Sequence, residues 1–187
     1  MIDYLMLIAS PIKALDKLSD KKPGFLSLYL IFTITLLGLT LPKYVVTSLN
    51  NPNGIVVLMM FFLVMPLMYY PITYSFGYLY WIVAKGFKGA SSFAEIRILI
   101  IYAYMPFIIQ FIISIPFIIV GIIKNDVSII VHDNHLSSLI LWLLSFRILM
   151  VGIAKYNKFN WMITLITYLI STSILGGLGY LLLQLKR

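Results

Sequence analysis

No cysteine occurs among the 187 residues, which excludes disulfides, thiolate metal sites, thiol nucleophiles and lipoprotein acylation together. Charge is scarce too. Charged side chains make up 11% of the chain and hydrophobic ones 61%, against about 25% and about 45–50% in ordinary globular domains. That balance excludes a water-soluble domain. Acidic residues number six, with Glu95 the sole glutamate, so a hydrolytic or metal-dependent site has few carboxylates to draw on. No G-x-S-x-G, P-loop, G-x-G-x-x-G or H-E-x-x-H pattern is present. Neither a catalytic centre nor a cofactor is expected. The 14 basic residues, which give a net charge of +8, fall in ones and twos between apolar runs. A nucleic-acid binder gathers them on one polar face, so no nucleic-acid partner is expected.

Long uncharged runs are what the chain has. A bilayer core of about 30 Å takes about 20 apolar residues as a helix, and five runs meet that need: approximately 24–47, 55–84, 97–123, 136–154 and 159–185. The expected fold is an all-α membrane protein whose five transmembrane helices (24–187) follow a short amphipathic interfacial helix within residues 1–23. The second run, uncharged throughout, would be about 45 Å long as a straight helix, longer than the bilayer core is thick. Pro66 and Pro71 each remove a backbone donor, so a kink between them is expected. Two separate spans from this run would each fall short of the required length.

Orientation follows from the Lys and Arg of the short connections. With the N-terminus inside, the inner segments carry nine (Lys13, Lys17, Lys21, Lys22, Lys85, Lys88, Arg97, Lys155, Lys158) and the outer ones four (Lys43, Lys124, Lys186, Arg187). A cytoplasmic N-terminus and a C-terminus on the opposite side are expected. Met1-Ile2-Asp3 lacks the basic start of a signal peptide. Ser10-Pro11 has the form of a helix start, after which Ile12, Leu15 and Leu18 or Ser19 share a side. Lys13, Lys17, Lys21 and Lys22 suit anionic headgroups or a docking partner, or they are a solvated linker obeying the charge rule, and Lys85 and Lys88 are further candidates for surface or partner docking.

The order of landmarks resembles the Yip (Ypt-interacting protein) family in its bacterial form. Leu7 to Leu15, with Ser10-Pro11 and Ala14-Leu15, is similar to the family's "SP-x-x-A-[FL]" lead-in. Gly86-Phe87-Lys88-Gly89-Ala90-Ser91-Ser92-Phe93 resembles its "G-x-x-G-x-x-S-F" turn, and Ala103-Tyr104-Met105-Pro106 its "A-[YS]-x-P". Trp142 is placed like the family's tryptophan. The resemblance implies five spans with the N-terminus in the cytosol. Eukaryotic relatives act in vesicle traffic with prenylated small GTPases, and carry a long cytosolic N-terminal region with an acidic "DL-x-GP"-type motif. Only 22 residues precede Pro23 here and that motif is absent, so GTPase binding is not carried over. The short N-terminal segment points instead to a prokaryotic plasma membrane.

Several polar residues interrupt the runs. Arg147 is an ionisable group within a span, at a cost of about 2.5–3.5 kcal/mol on insertion scales, and lies about 12 Å along its helix from Lys155. Three uses stay open: pairing with the Tyr102 carbonyl freed by Pro106 or with the Tyr102 or Tyr104 hydroxyl, binding an anion or lipid headgroup, or snorkelling. Ser92 and Glu95 have capping-box spacing, and Glu95 could instead turn inward as a carboxylate paired with Arg147. Gln110, mid-span, needs a neighbour. His132 and His135, with Asp126 and Asp133 nearby, are too incomplete to predict a metal site. Tyr70, Tyr74, Tyr78 and Trp81 form a helical stripe suited to packing and the aromatic belt, or to a lipid groove. Thr172–Gly176 and Ser173–Gly177 are small pairs four apart, fit for close packing within the chain or in a homodimer.

The expected function is a non-catalytic membrane scaffold or adaptor that organises membrane proteins or lipids. Its expected partners are membrane lipids and a membrane protein or a second copy of the chain. The alternative is a small carrier or lipid-handling protein with a polar site around Arg147.

Overall fold

The computed structural model describes residues 2–20, 23–50, 52–130 and 135–184, and the described residues are helical with no strand. Lys21, Lys22, His132, Asp133, Lys186 and Arg187 lie outside them. Four helical segments are long and apolar enough to cross a membrane: Phe25–Leu49, Phe93–Lys124, Ser138–Asn157 and Trp161–Leu178. A fifth is added if Gly54–Leu67 and Tyr69–Gly86, bent by 44°, count as one span. The bend falls at Met68, between the two prolines of the long run. By internal packing the chain forms two compact units, the first Met1–Lys21, Ile72–Tyr102 and Arg147–Arg187, the second Lys22–Pro71 and Ala103–Phe146.

The second unit is built on α3 (Phe25–Leu49), α4 (Gly54–Leu67), α7 (Phe107–Lys124) and α8 (Val127–Ile130), with the first residues of α5 (Tyr69–Gly86) and the first half of α9 (His135–Asn157). Its core joins Leu41 and Val45 of α3, Phe61 of α4, Ile118 of α7 and Ile130 of α8. At Gly38 α3 and α7 meet closely: a Cβ there would collide with the Phe107 carbonyl. Beyond the Met68 break, Tyr69 is fully buried, its ring edge-on to Phe25 at 5.6 Å and Phe32 at 5.4 Å. Pro106 ends α6 (Phe93–Ala103) and leads through i→i+3 bonds, such as Phe107 N to Tyr104 O at 3.0 Å, into α7.

The first unit holds α1 (Ile2–Ala9), α2 (Pro11–Asp20), most of α5, α6, the end of α9 and α10 (Trp161–Gln184). Pro11 occupies the first position of α2, where its missing amide costs nothing. Pro11, Ala14, Leu15 and Leu18, at i, i+3, i+4 and i+7, are buried, while Ile12, Lys13, Asp16 and Lys17 are exposed. The apolar stripe of α2 is covered by protein, and Ile12, expected on it, is exposed instead. Gly152 of α9 faces Leu99 of α6 so closely that a Cβ would collide. In α10, Thr164, Thr167 and Ser171 are buried, each hydroxyl donating to the carbonyl four residues back at 2.8 Å.

Candidate functional site

Three connections of the first unit form the candidate site: the α5–α6 loop, the α9–α10 turn and the α1–α2 elbow. Two of them begin in the same way. Gly89 N bonds Ala84 O and Phe159 N bonds Ala154 O, both at 2.9 Å, with Lys88 (φ 61°) and Lys158 (φ 57°) in the left-handed region. This six-to-one closure is the Schellman arrangement, which usually places glycine at the left-handed position. Lysine there loses about 1 kcal/mol of backbone preference and recovers a part by facing the helix's negative end. Lys88 and Lys158 are both exposed.

Asn157 links the two connections. Its Oδ1 accepts from the Ser91 hydroxyl at 2.6 Å and the Ser91 amide at 3.3 Å, and its Nδ2 donates to Ile153 O at 3.1 Å. Asn157 and Ser91 are both buried, and a Cβ at Gly89 would collide with Oδ1. Sequence reasoning missed this hub, because an asparagine between lysines after an apolar run has the appearance of a solvated turn. Lys85 adds a bond from Nζ to Gly89 O at 2.9 Å.

The capping box forms as spaced. Glu95 Oε2 accepts from the Ser92 amide at 2.7 Å and hydroxyl at 2.8 Å, and the Glu95 amide donates to Ser92 Oγ at 3.3 Å. Its carboxylate therefore faces the loop and not Arg147. Helix α6 starts at Phe93, earlier than expected, which puts Arg97 inside a helix and not in the connection before it. Its guanidinium carbon lies 4.6 Å from the centroid of the Tyr74 ring.

Arg147 departs from expectation. Nη1 donates to Ile8 O at 3.3 Å, not to Tyr102 or Tyr104. The physical reason is the end of α1: Ile8 belongs to the last turn, whose carbonyls have no partner within the helix and carry the negative end of its dipole. Lys155 reaches the next helix, donating to Ile12 O in the first turn of α2 at 3.1 Å and pairing with Asp16. Two cations of α9 thus clamp the α1–α2 elbow. Tyr102 is buried in the first unit. Tyr104 lies in the second, edge-on to Trp142 at 6.0 Å. Gln110, half-buried in the second unit, has a side-chain oxygen without a hydrogen-bond partner among the described residues. Lys13 and Lys17 are exposed on α2.

Elsewhere, Asp126 caps α8 through Ser128, whose hydroxyl and amide donate to Oδ1 at 2.6 and 2.9 Å and hold the carboxyl below its usual range. No group of three or more metal-binding side chains occurs among the described residues. A Cβ at Gly176 or Gly177 would meet nothing within 4 Å, so these two glycines pack against no other part of the chain among the described residues.

The model of the Yip1 domain matches residues 5–183, which includes every connection described above. The chain belongs to the Yip1 family. No curated protein and no solved structure gives a significant match. With its apolar helices, family membership makes this Yip1 protein an integral membrane protein. The Gly86–Phe93 landmark coincides with the Schellman closure, the Ser91–Asn157 hub and the capping box, and Ser10-Pro11 with the clamped elbow.

Proposed function

We propose that this Yip1 protein is a non-catalytic scaffold or adaptor of a prokaryotic plasma membrane, and that its basic loop end, facing the cytoplasm, receives a partner protein. The observation that carries this reading is α2, fixed by its buried stripe and by Lys155, with Ile12, Lys13 and Lys17 turned outward. Lys88 and Lys158 add two exposed charges on connections that Asn157 ties together. A rigid basic surface suits docking better than catalysis, since Asp16, Glu95 and Asp126 are already engaged by Lys155, Ser92 and Ser128. The C-terminus then lies on the opposite side if the bent pair makes one span.

The test is mild crosslinking in the native membrane followed by mass spectrometry. A partner recovered in fixed ratio from the native chain, and lost from a Lys13→Glu, Lys17→Glu, Lys88→Glu variant of equal abundance, is the expected result. Recovery unchanged by the three substitutions would overturn the docking surface. A second reading, a small carrier or lipid-handling protein, draws on the unpartnered oxygen of Gln110. Its centre in that reading, Arg147, donates one bond, to the Ile8 carbonyl.

A further inference from the structure

Arg97 is the fifth residue of α6, about 6 Å along the helix from Phe93 by the helical rise. It lies inside the candidate span Phe93–Lys124. Among the described residues it forms no hydrogen bond or ion pair, and its buried Nε has no acceptor. The nearest carboxylate in sequence, Glu95, is held by Ser92. What Arg97 does have is the Tyr74 ring at 4.6 Å, which attracts the cation but accepts none of its five N–H donors in the plane of the fork.

The surroundings are built for one kind of ligand. Phe93 joins Tyr74, at 5.7 Å between ring centroids, to Trp81, at 6.1 Å, so the three rings and Arg97 make one continuous patch on the α5–α6 pair. Gly77 permits it: a Cβ there would stand 3.2 Å from both Cα and Cβ of Arg97, so the backbones of α5 and α6 approach closely at this point. Tyr74 and Tyr78 are 41% and 52% exposed, and Arg97 is only half-buried, so the patch is open from outside the chain. Amphipathic rings near the end of a span belong at headgroup depth. The strong acceptor available at that depth is phosphate, which a guanidinium binds through two parallel N–H bonds.

We propose that Arg97, flanked by Tyr74, Tyr78 and Trp81, binds the headgroup phosphate of a membrane phospholipid on the α5–α6 face. The site lies within the first unit and does not depend on the adaptor reading.

Trp81 provides the readout. The full chain in a neutral maltoside detergent is titrated with dihexanoylphosphatidylglycerol, with dihexanoylglycerol as the same tails without phosphate, and with inorganic phosphate. The Trp81 contribution to the emission is assigned by comparison with Trp81→Phe. The phosphatidylglycerol should give a saturable change that the phosphate-free lipid does not. Arg97→Gln should weaken binding by about 10–100-fold, as expected for loss of hydrogen bonds to a charged group. Arg97→Lys, which keeps the charge and serves if the glutamine variant does not fold, should weaken it by about tenfold, because an ammonium cannot form the planar fork. An equal response to dihexanoylglycerol, or unchanged affinity in either Arg97 variant, would overturn the site. Inorganic phosphate as effective as the lipid would make the ligand a free anion and overturn the lipid assignment.

Discussion

Asn157 is the residue whose loss should be felt most at the loop end. Replacing it by alanine removes the acceptor of both Ser91 donors and leaves a buried hydroxyl and amide unsatisfied. A loss of about 1–3 kcal/mol is expected, read as a lower unfolding midpoint in detergent, whereas Asn160→Ala should cost less, because Asn160 is exposed and its Oδ1 accepts only the Ile163 amide, at 2.9 Å, at the start of α10. Lys88 runs the other way. Glycine adopts its left-handed backbone freely, so Lys88→Gly should gain at most about 1 kcal/mol in the same assay while weakening the proposed docking. Asp126 gives a pH dependence with a fixed sign. Its folded pKa is depressed by the Ser128 hydroxyl first and the Ser128 amide second. The stabilisation is therefore present above the unfolded value of about 3.9 and is lost as pH falls through the lower folded value. Hydrogen-exchange protection of α8 should hold down to about pH 4 and fall below it, and Ser128→Ala should move that fall to higher pH.

Among elements, three glycines separate packing from bystanding. At Gly38 an added methyl meets a backbone carbonyl of α7, which cannot turn aside, so Gly38→Ala must push α3 off α7. At Gly152 the obstacle is the end of the Leu99 side chain, which can change rotamer, so Gly152→Ala should cost less. Overpacking of this kind costs about 1–3 kcal/mol. At Gly176 nothing stands in the way, and alanine should be neutral or slightly stabilising. The expected order of unfolding midpoints is Gly176→Ala highest, then Gly152→Ala, then Gly38→Ala. Much of this level was legible in the sequence. The apolar runs, the bend between Pro66 and Pro71 and the Ser92–Glu95 box are local signals, set by composition or by spacing of a few residues. Arg147 was not legible, because its acceptor is a helix-end carbonyl 139 residues away. The buried stripe of α2 was legible at Leu15 and Leu18 but not at its start, for a related reason: Ile12 and Ala14 compete for the inward face, and tertiary packing chose Pro11 and Ala14.

For the whole molecule, the decisive question is how α4 and α5 cross the bilayer. One bent span gives five crossings, and a re-entrant pair gives four. The two helices have 14 and 18 residues, or about 21 and 27 Å at the helical rise, so neither alone comfortably spans a core of about 30 Å but their sum exceeds it. The absence of cysteine makes the measurement clean: single substitutions Pro52→Cys and Lys88→Cys introduce one thiol each at the two ends of the pair. Both positions are exposed, so both thiols should react with a membrane-impermeant maleimide when they face it. In sealed right-side-out vesicles Pro52→Cys should label and Lys88→Cys should not, and in inverted vesicles the pattern should reverse, as the basic residues around Lys88 favour the cytoplasmic face. Labelling of both positions from the same side would make the bent pair re-entrant. The C-terminus would then return to the side of the N-terminus, a topology at odds with the Asn157 and Lys155 contacts that hold the α5–α6 loop and α2 at one end of the first unit.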